Sequence, residues 1–385
     1  MIASPALEGE RPSPRRPVNV HTPVVIPAQA GTHTVPGPTS RTRPPSRSVY
    51  SLEVATPDRP RHTCYRLRGR VSAFALGLVL LATSACAQPP SRLPAPALEV
   101  DRRIAVTVDD LPLGGRQHDL AYQQRVTRDL LAHLTAADVP AIGFVNEVKL
   151  DVEGEHDERV ALLQAWLDAG FELGNHTRDH PSLFDTPLAE FQQNVLEGDV
   201  VTERLLAARG DSVRYFRHPY LNTGPDLETK QAFEAWLEGE GLTVAPVTHD
   251  NAEWLYAAAY DRAESSELRT NIADAYIAYM DTTAGYFEAL EQKLFGRAID
   301  HVLLVHANAL NADHLDRLLA MFRRRGYRFV TLEDALEDPA YRSEDTYTGR
   351  AGISWLQRWA VTRGLEVAPE PSFDSWVNDI VYPNQ

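Results

Sequence analysis

Cysteine is nearly absent from this chain, and the positions of the two copies remove even those from consideration. Cys64 and Cys86 are the only two in 385 residues. One lies upstream of an export-like segment and the other at its end, so the mature chain is expected to have no disulfide and no thiolate metal ligand. Any metal must then be held by histidine and carboxylate. Positive charge is scarce as well, with 38 Lys and Arg against 53 Asp and Glu. Eleven of the basic residues, all Arg, and only four of the acidic ones precede residue 86. Residues 86–385 therefore carry 27 basic and 49 acidic side chains, a net charge of −22. A region that acidic repels nucleic acid and anionic membrane surfaces, which excludes both as expected partners, and it tolerates neutral or cationic substrates. No protein partner is indicated.

Residues 1–65 lack sustained apolar periodicity, and twelve of the 27 prolines fall before Arg61, so a disordered extension or a misassigned start is expected there. Arg66-Leu-Arg-Gly-Arg70 then precedes the apolar run Val71–Thr83 and the small residues Ser84-Ala-Cys-Ala-Gln88. Basic flank, short apolar run and a cleavable small-residue end make 66–87 a secretory signal, too short for a comfortable membrane span. Ala85-Cys86-Ala87 fits cleavage before Gln88. Cys86 also resembles a lipid-attachment cysteine, although Thr83 stands where that motif usually has Leu; the soluble form is favoured. Export to the periplasm or medium follows from either reading.

After a linker at 88–101 the pattern alternates. Short β-branched runs at 104–109, 141–146, 171–175, 213–217, 242–248, 301–306 and 327–331 are separated by helical patterns near 120–136, 158–169, 188–208, 227–239, 271–294 and 312–325. Seven strands alternating with helices predict parallel βα units, in an open sheet or a barrel. The connection between strands five and six, with Tyr256, Tyr260, Tyr276, Tyr279, Tyr286 and Phe287, predicts a helical insertion, either a packing element or a wall beside the site. The tail, 336–385, has Trp355, Trp359 and Trp376 and is expected to pack on or near the sheet, as a lid or as closure.

Polar residues collect at the C-terminal strand ends, the face that carries chemistry in a β/α barrel. Asp109 and Asp110 end the first strand. Adjacent carboxylates repel, and a divalent cation relieves the repulsion. Because neighbouring strand residues point to opposite faces, the strand is expected to end at this pair. His176 and His180 follow the third strand at i, i+4 spacing, which suits two ligands of one metal. Pro181 disfavours a helical His180, so the pair is expected on a strand-to-helix turn. Arg217 leaves an apolar strand into His-Pro-Tyr220 and needs an anion nearby. Asp250 and Glu253 stand beside Trp254, and His306 ends the apolar strand Val302–Val305. Taken singly, each has a bland alternative: a turn or cap for the aspartates, chance for the histidine pair, a surface loop for Arg217, a hydrogen-bonded core residue for His306.

Taken in order, Thr107-Val-Asp-Asp110, His176-Thr-Arg-Asp-His180, Arg217-His-Pro-Tyr220, Asp250-Asn-Ala-Glu-Trp254 and Leu304-Val-His306 closely resemble the five motifs of the polysaccharide deacetylases, the NodB-homology carbohydrate esterases. The resemblance covers roughly residues 102–335. It implies a distorted (β/α)7-type barrel as a single catalytic domain, with Asp110, His176 and His180 holding a divalent metal, commonly zinc, with cobalt, nickel or manganese as alternatives. It also implies Asp109 as general base, Arg217 as the group that orients it, the Tyr220 backbone N–H at the oxyanion, and His306 as the acid that protonates the departing amine. The implied activity is metal-dependent removal of N-acetyl groups from amino sugars of a polysaccharide. Val108 and Leu111 depart from the motif's Phe and Gly. Glu253 replaces Asp and is one methylene longer, which puts its contact with His306 in question and leaves Asp250 as a second candidate. A small-amide deacylase of the same fold and a catalytically silent carbohydrate-binding protein are the alternatives; the silent form would be expected to lack Asp109 or His306.

Overall fold

A computed structural model describes residues 101–116 and 119–383. The expected leader, signal segment and linker, with Cys64 and Cys86, lie outside the described residues. β1 (Arg102–Leu111) is buried through most of its length, as a run of Ile, Ala, Val and Thr with no polar face must be. Around it stand β2 (Ala141–Val145), β3 (Glu172–Asn175), β4 (Tyr215–Phe216), β5 (Thr243–Val244), β6 (Asp300–His306) and β7 (Tyr327–Val330). The sheet order is β5-β4-β3-β2-β1-β6, every pairing is parallel, and β7 pairs with β1 along Arg102–Ala105.

The sheet curls far enough to meet itself. Beyond β5 the chain bridges to β6: the Thr248 and His249 amides donate to the Val302 carbonyl at 3.1 and 3.0 Å, and the Leu304 amide donates to His249 at 3.3 Å. The alternating pattern allowed an open sheet or a barrel; this parallel, curled sheet is the distorted β/α barrel that the resemblance implied.

Register positions the chemistry. Asp109 lies directly across from His306 on β6, and the ends of β2, β3 and β4 are level through Val145↔Asn175 and Asn175↔Phe216. The strand does not stop at the aspartates, contrary to the alternation argument. It continues to Leu111, and its pairing with β2 shifts between Val108 and Leu111, with Asp110 at φ 72°. A bulge solves the same geometric problem: a left-handed residue turns the second carboxylate back toward the site while the strand goes on.

The helices α1 (Leu120–Ala136), α2 (His156–Asp168) and α5 (Leu227–Glu240) follow the expected pattern. The single helix expected over 188–208 is divided into α3 (Leu188–Leu196) and α4 (Val200–Ala207). Gly198 sits at the break, where a Cβ would come within 2.5 Å of the Thr177 carbonyl carbon and 2.6 Å of the Arg178 amide; the histidine loop rests on that glycine. The insertion is α6 (Glu253–Arg262) and the 30-residue α7 (Ser266–Phe295). Its aromatic residues Tyr256, Tyr276 and Phe287 are fully buried, so it is chiefly a packing element, although Tyr279 also reaches the central cavity.

α8 (Ala309–Arg324) follows β6, and α9 (Leu332–Leu336), α10 (Trp355–Thr362) and α11 (Ser375–Val381) end the chain. The tail seals the β5–β6 junction, where the Trp355 amide donates to Val247 and the Ser354 hydroxyl to Thr248, both at 2.8 Å. Trp355 and Trp359 are buried there and Trp376 is exposed. No helix among the described residues is long and apolar enough to cross a membrane.

Candidate active site

The strand ends open into a cavity of about 1190 Å3 whose floor carries Asp109, Asp110, His176, His180 and His306. One ligand atom from each of Asp110, His176 and His180 lies within 4.8 Å of the others. Each is placed by an identifiable device. His176 Nδ1 donates to the Arg217 carbonyl at 2.8 Å, since a carbonyl can only accept; the tautomer is thereby fixed and Nε2 is left with a free lone pair. The loop after β3 is braced by two buried amides. Asn146 donates to the His176 carbonyl at 2.7 Å, and Asn175 accepts from the Thr177 amide at 2.7 Å while donating to Val195 at 2.8 Å. His180 has a left-handed backbone, φ 60°, and its amide donates to the Thr177 hydroxyl. The pair therefore occupies a braced turn, as Pro181 required.

Strain gathers here. Among the described residues six non-glycine positions have positive φ, and five of them are Asp110, Thr177, His180, Tyr220 and Leu221. Left-handed non-glycine backbone costs about 1–3 kcal/mol per residue and persists only where neighbours over-determine it, which marks this end of the sheet as built for a purpose beyond stability.

Asp109 is 2% exposed. Arg217, itself fully buried, places Nη1 3.5 Å from Asp109 Oδ2, donates through Nη2 to the Thr107 hydroxyl at 2.9 Å, and lies over the Phe144 ring at 4.7 Å. Asp109 Oδ1 has no hydrogen-bond partner. Burial pushes the Asp109 carboxyl up to about 6 in spite of Arg217. For Asp110, burial works in the same direction but is outweighed by Lys149 and the surrounding histidines, which hold it below the usual carboxylate range. Lys149 Nζ donates to Asp110 Oδ1 at 3.0 Å and to its carbonyl at 2.9 Å. Burial keeps both His176 and His180 neutral-leaning, with lowered pKa values, the protonation state a metal ligand needs.

On the opposite side His306 Nδ1 is 2.7 Å from Glu253 Oε2. The other carboxylate oxygen, Oε1, accepts from Asn311 Nδ2 at 2.7 Å and from Asn308 Nδ2. The added methylene of Glu253, which put this contact in question, lets a residue in the first turn of α6 reach both. Burial alone would depress His306, but Glu253, reinforced by Asp110 and Asp109, outweighs it and holds the imidazolium up to about 9. Asp250 lines the same cavity and is pushed up to about 7 by burial and by Glu370, yet it makes no hydrogen bond to His306. Tyr220 sets its ring edge against His180, centroids 4.5 Å apart, and is 62% exposed at the cavity mouth.

Each candidate catalytic or ligand residue read from the sequence lines this cavity, apart from Arg217 and Glu253, which touch the lining residues Asp109 and His306. Sequence reasoning missed Lys149, which carries no motif, and Asn308 and Asn311, whose signal is only their spacing behind His306.

The polysaccharide deacetylase family pattern matches residues 99–234, which includes the first three motifs; Glu253 and His306 enter through the fold. A peptidoglycan-N-acetylglucosamine deacetylase from Bacillus cereus is 22% identical over 230 residues, 60% of this chain and 66% of that protein; the chain thus spans just under two thirds of that relative. Among solved structures, a family 4 carbohydrate esterase from Streptomyces lividans in complex with acetate is similar at 20% identity over 60% of this chain and 95% of its own, with a TM-score of 0.38. A carbohydrate esterase family 4 pseudoenzyme from Bacillus anthracis is similar at 17% identity over 62% and 66%, with a TM-score of 0.40. Residues 99–234 thus match a polysaccharide deacetylase domain, the family whose motifs the sequence resembles.

Proposed function

We propose that this protein hydrolyses the N-acetyl amide of amino sugars in a polysaccharide, with Asp109 as base and His306 as acid. The observation that carries the reading is the placement of two differently tuned groups on opposite sides of one histidine–carboxylate cluster. Asp109 is kept proton-accepting beside Arg217, and His306 is kept protonated by Glu253.

Asp110, His176 and His180 suit a divalent ion: an anionic oxygen and two imidazoles, one with its tautomer fixed so that Nε2 faces inward. Zinc is the first expectation, with cobalt, nickel or manganese as substitutes. When bound, such an ion supplies Lewis-acid polarisation and a water acidic enough to attack near neutral pH. Asp109 Oδ1, free of other partners, takes the proton of the attacking water while Arg217 fixes the carboxylate through Oδ2. The Tyr220 backbone N–H supports the oxyanion. His306 Nε2 delivers the proton that an amine leaving group requires, with Glu253 fixing the ring through Nδ1. Trp254, 49% exposed, and Tyr220 offer sugar-sized aromatic faces at the cavity mouth. The peptidoglycan relative supports an N-acetylglucosamine polymer as substrate. The cavity wall formed by Glu370, Pro371 and Phe373 is the observation that favours the second reading, a short or non-polymeric amide.

The test is acetate release from acetylated glucosamine polymer, chitooligosaccharides and small N-acetyl amides, before and after chelation. Release from the sugars that is lost on chelation and restored by metal is expected; release from small amides alone would select the second reading, and binding with no release the silent one. Export with loss of residues 1–87, with or without a lipid at Cys86, is proposed on the sequence alone and is read by mass spectrometry of the mature N-terminus.

A further inference from the structure

The loop bearing Tyr220 is the most strained part of the site, with Tyr220 at φ 54° and Leu221 at φ 51° in succession. Two adjacent left-handed non-glycine residues do not hold themselves; something must over-determine them. Within the loop only two short-range backbone bonds help, Leu221 to His218 at 3.1 Å and Asn222 to Pro219 at 3.0 Å. Beyond these, the Gly224 amide on Asn222 Oδ1 and the Tyr220 ring on His180, the restraints come from the far end of the chain. Arg358, on α10 and fully buried, donates through Nη2 to the Leu221 carbonyl and through Nη1 to the Thr223 hydroxyl at 3.0 Å. Asn222 Nδ2 donates to the Arg350 carbonyl at 2.8 Å. Gly352 lies against the loop so closely that a Cβ there would overlap the Tyr220 carbonyl oxygen.

We infer that Arg358 is a positioning residue, and that the C-terminal segment 349–358 is the clamp that holds the Tyr220 backbone in its reactive orientation. The inference rests on the proposed role of the Tyr220 N–H and extends the active site to a segment the family match does not reach. Arg358 is itself fixed for the task. Its guanidinium lies over the Trp355 ring at 4.0 Å, its Nε donates to the Ile353 carbonyl at 3.0 Å, and Asp345 sits 3.4 Å away. A planar fork that bonds two loop acceptors while stacked on an indole is a use of Arg that Lys reproduces only in part. The clamp makes no hydrogen bond to Asp110, His176 or His180, and Arg217, whose carbonyl fixes His176, is held through the sheet by its amide on Asn175 at 2.9 Å. Beyond that the loop meets the ligands only where the Tyr220 ring edge lies on His180, so loss of the clamp should leave the ligands largely in place while misplacing the oxyanion donor. Misplacement of that kind, on the scale of an ångström, costs on the order of 10²-fold in rate.

Arg358→Met, Arg358→Lys and Gly352→Ala in the full chain test this, with kcat, KM, metal affinity and hydrogen exchange of the 217–224 backbone as readouts. Arg358→Met is expected to lower kcat by about 10–100-fold with KM and metal affinity within about threefold, and to speed exchange in 217–224 while the β-strand amides stay protected. Arg358→Lys should recover part of kcat and part of the protection, and Gly352→Ala should reproduce the loss without removing any charge. Should Arg358→Met fail to fold, the Lys and Ala variants carry the same comparison. Unchanged exchange in 217–224, or a kcat loss matched by equal loss of metal affinity, would overturn the clamp. If the wild-type protein releases no acetate from any substrate, the proposed activity fails, and the exchange measurement still decides the clamp.

Discussion

Glu253 Oε2 meets His306 Nδ1 at 2.7 Å, and the same carboxylate takes Asn311 and Asn308 on its other oxygen. This fully buried acid therefore fixes both the orientation and the charge of the imidazole.

The pH profile should show it. His306, held up to about 9, is protonated below that value, so activity that needs its proton should fall as pH rises through it. Removing the Glu253 charge lowers the imidazole pKa. Glu253→Gln should therefore move the alkaline limb of kcat to lower pH by about one unit or more and reduce the maximum by roughly 10²-fold. An alkaline limb that stays in place would show that His306 is not the titrating acid.

Arg217 should matter for stability as well as rate. Asp109 already has a raised pKa, and loss of the buried guanidinium raises it further, so the penalty falls on the ionised form and is relieved when the carboxyl is protonated. Arg217→Met is expected to lower the unfolding free energy by on the order of 3 kcal/mol at pH 8 and by clearly less at pH 5. Urea titrations at the two pH values make the comparison; equal losses would contradict it.

Gly198 supports the histidine loop at a distance no side chain permits, 2.5 Å to Thr177 and 2.6 Å to Arg178. Gly198→Ala should cost about 1–3 kcal/mol and weaken metal binding by displacing His176 and His180. Calorimetric titration with zinc would record both the stoichiometry and the weaker affinity, and unaltered affinity would show that the loop does not depend on this contact.

The ligands and the base should separate cleanly. Asp110→Asn, His176→Ala and His180→Ala are each expected to lower metal affinity by about 10²-fold or more, whereas Asp109→Asn should keep it and lose turnover. Loss of metal in Asp109→Asn would mean that the two aspartates exchange roles.

Much of this was legible in the sequence for a simple reason. Asp109, Arg217 and His306 each follow directly on an apolar run, and His176 follows the short strand that ends at Asn175, so strand ends and chemistry coincide in the chain. The bulge at Asp110 was not, because alternation has no term for an inserted residue, and the expectation that the strand ends there was wrong. Nor was the break at Gly198, since a helical pattern runs through a glycine undisturbed until the Thr177 loop is brought against it. Lys149 and Arg358 act wholly through tertiary neighbours; an isolated lysine after β2 and an arginine in α10 look like many others until the fold places one on Asp110 and the other on Leu221.

The most direct measurement is acetate released from an N-acetylated glucosamine oligomer by the wild-type chain and by Asp109→Asn, each with one equivalent of zinc and after chelation. The expected result is release by the zinc-loaded wild type alone, with zinc still bound in Asp109→Asn. Release that survives chelation, or that persists in the zinc-loaded Asp109→Asn protein, would contradict the assignment of Asp109 as base beside a metal held by Asp110, His176 and His180.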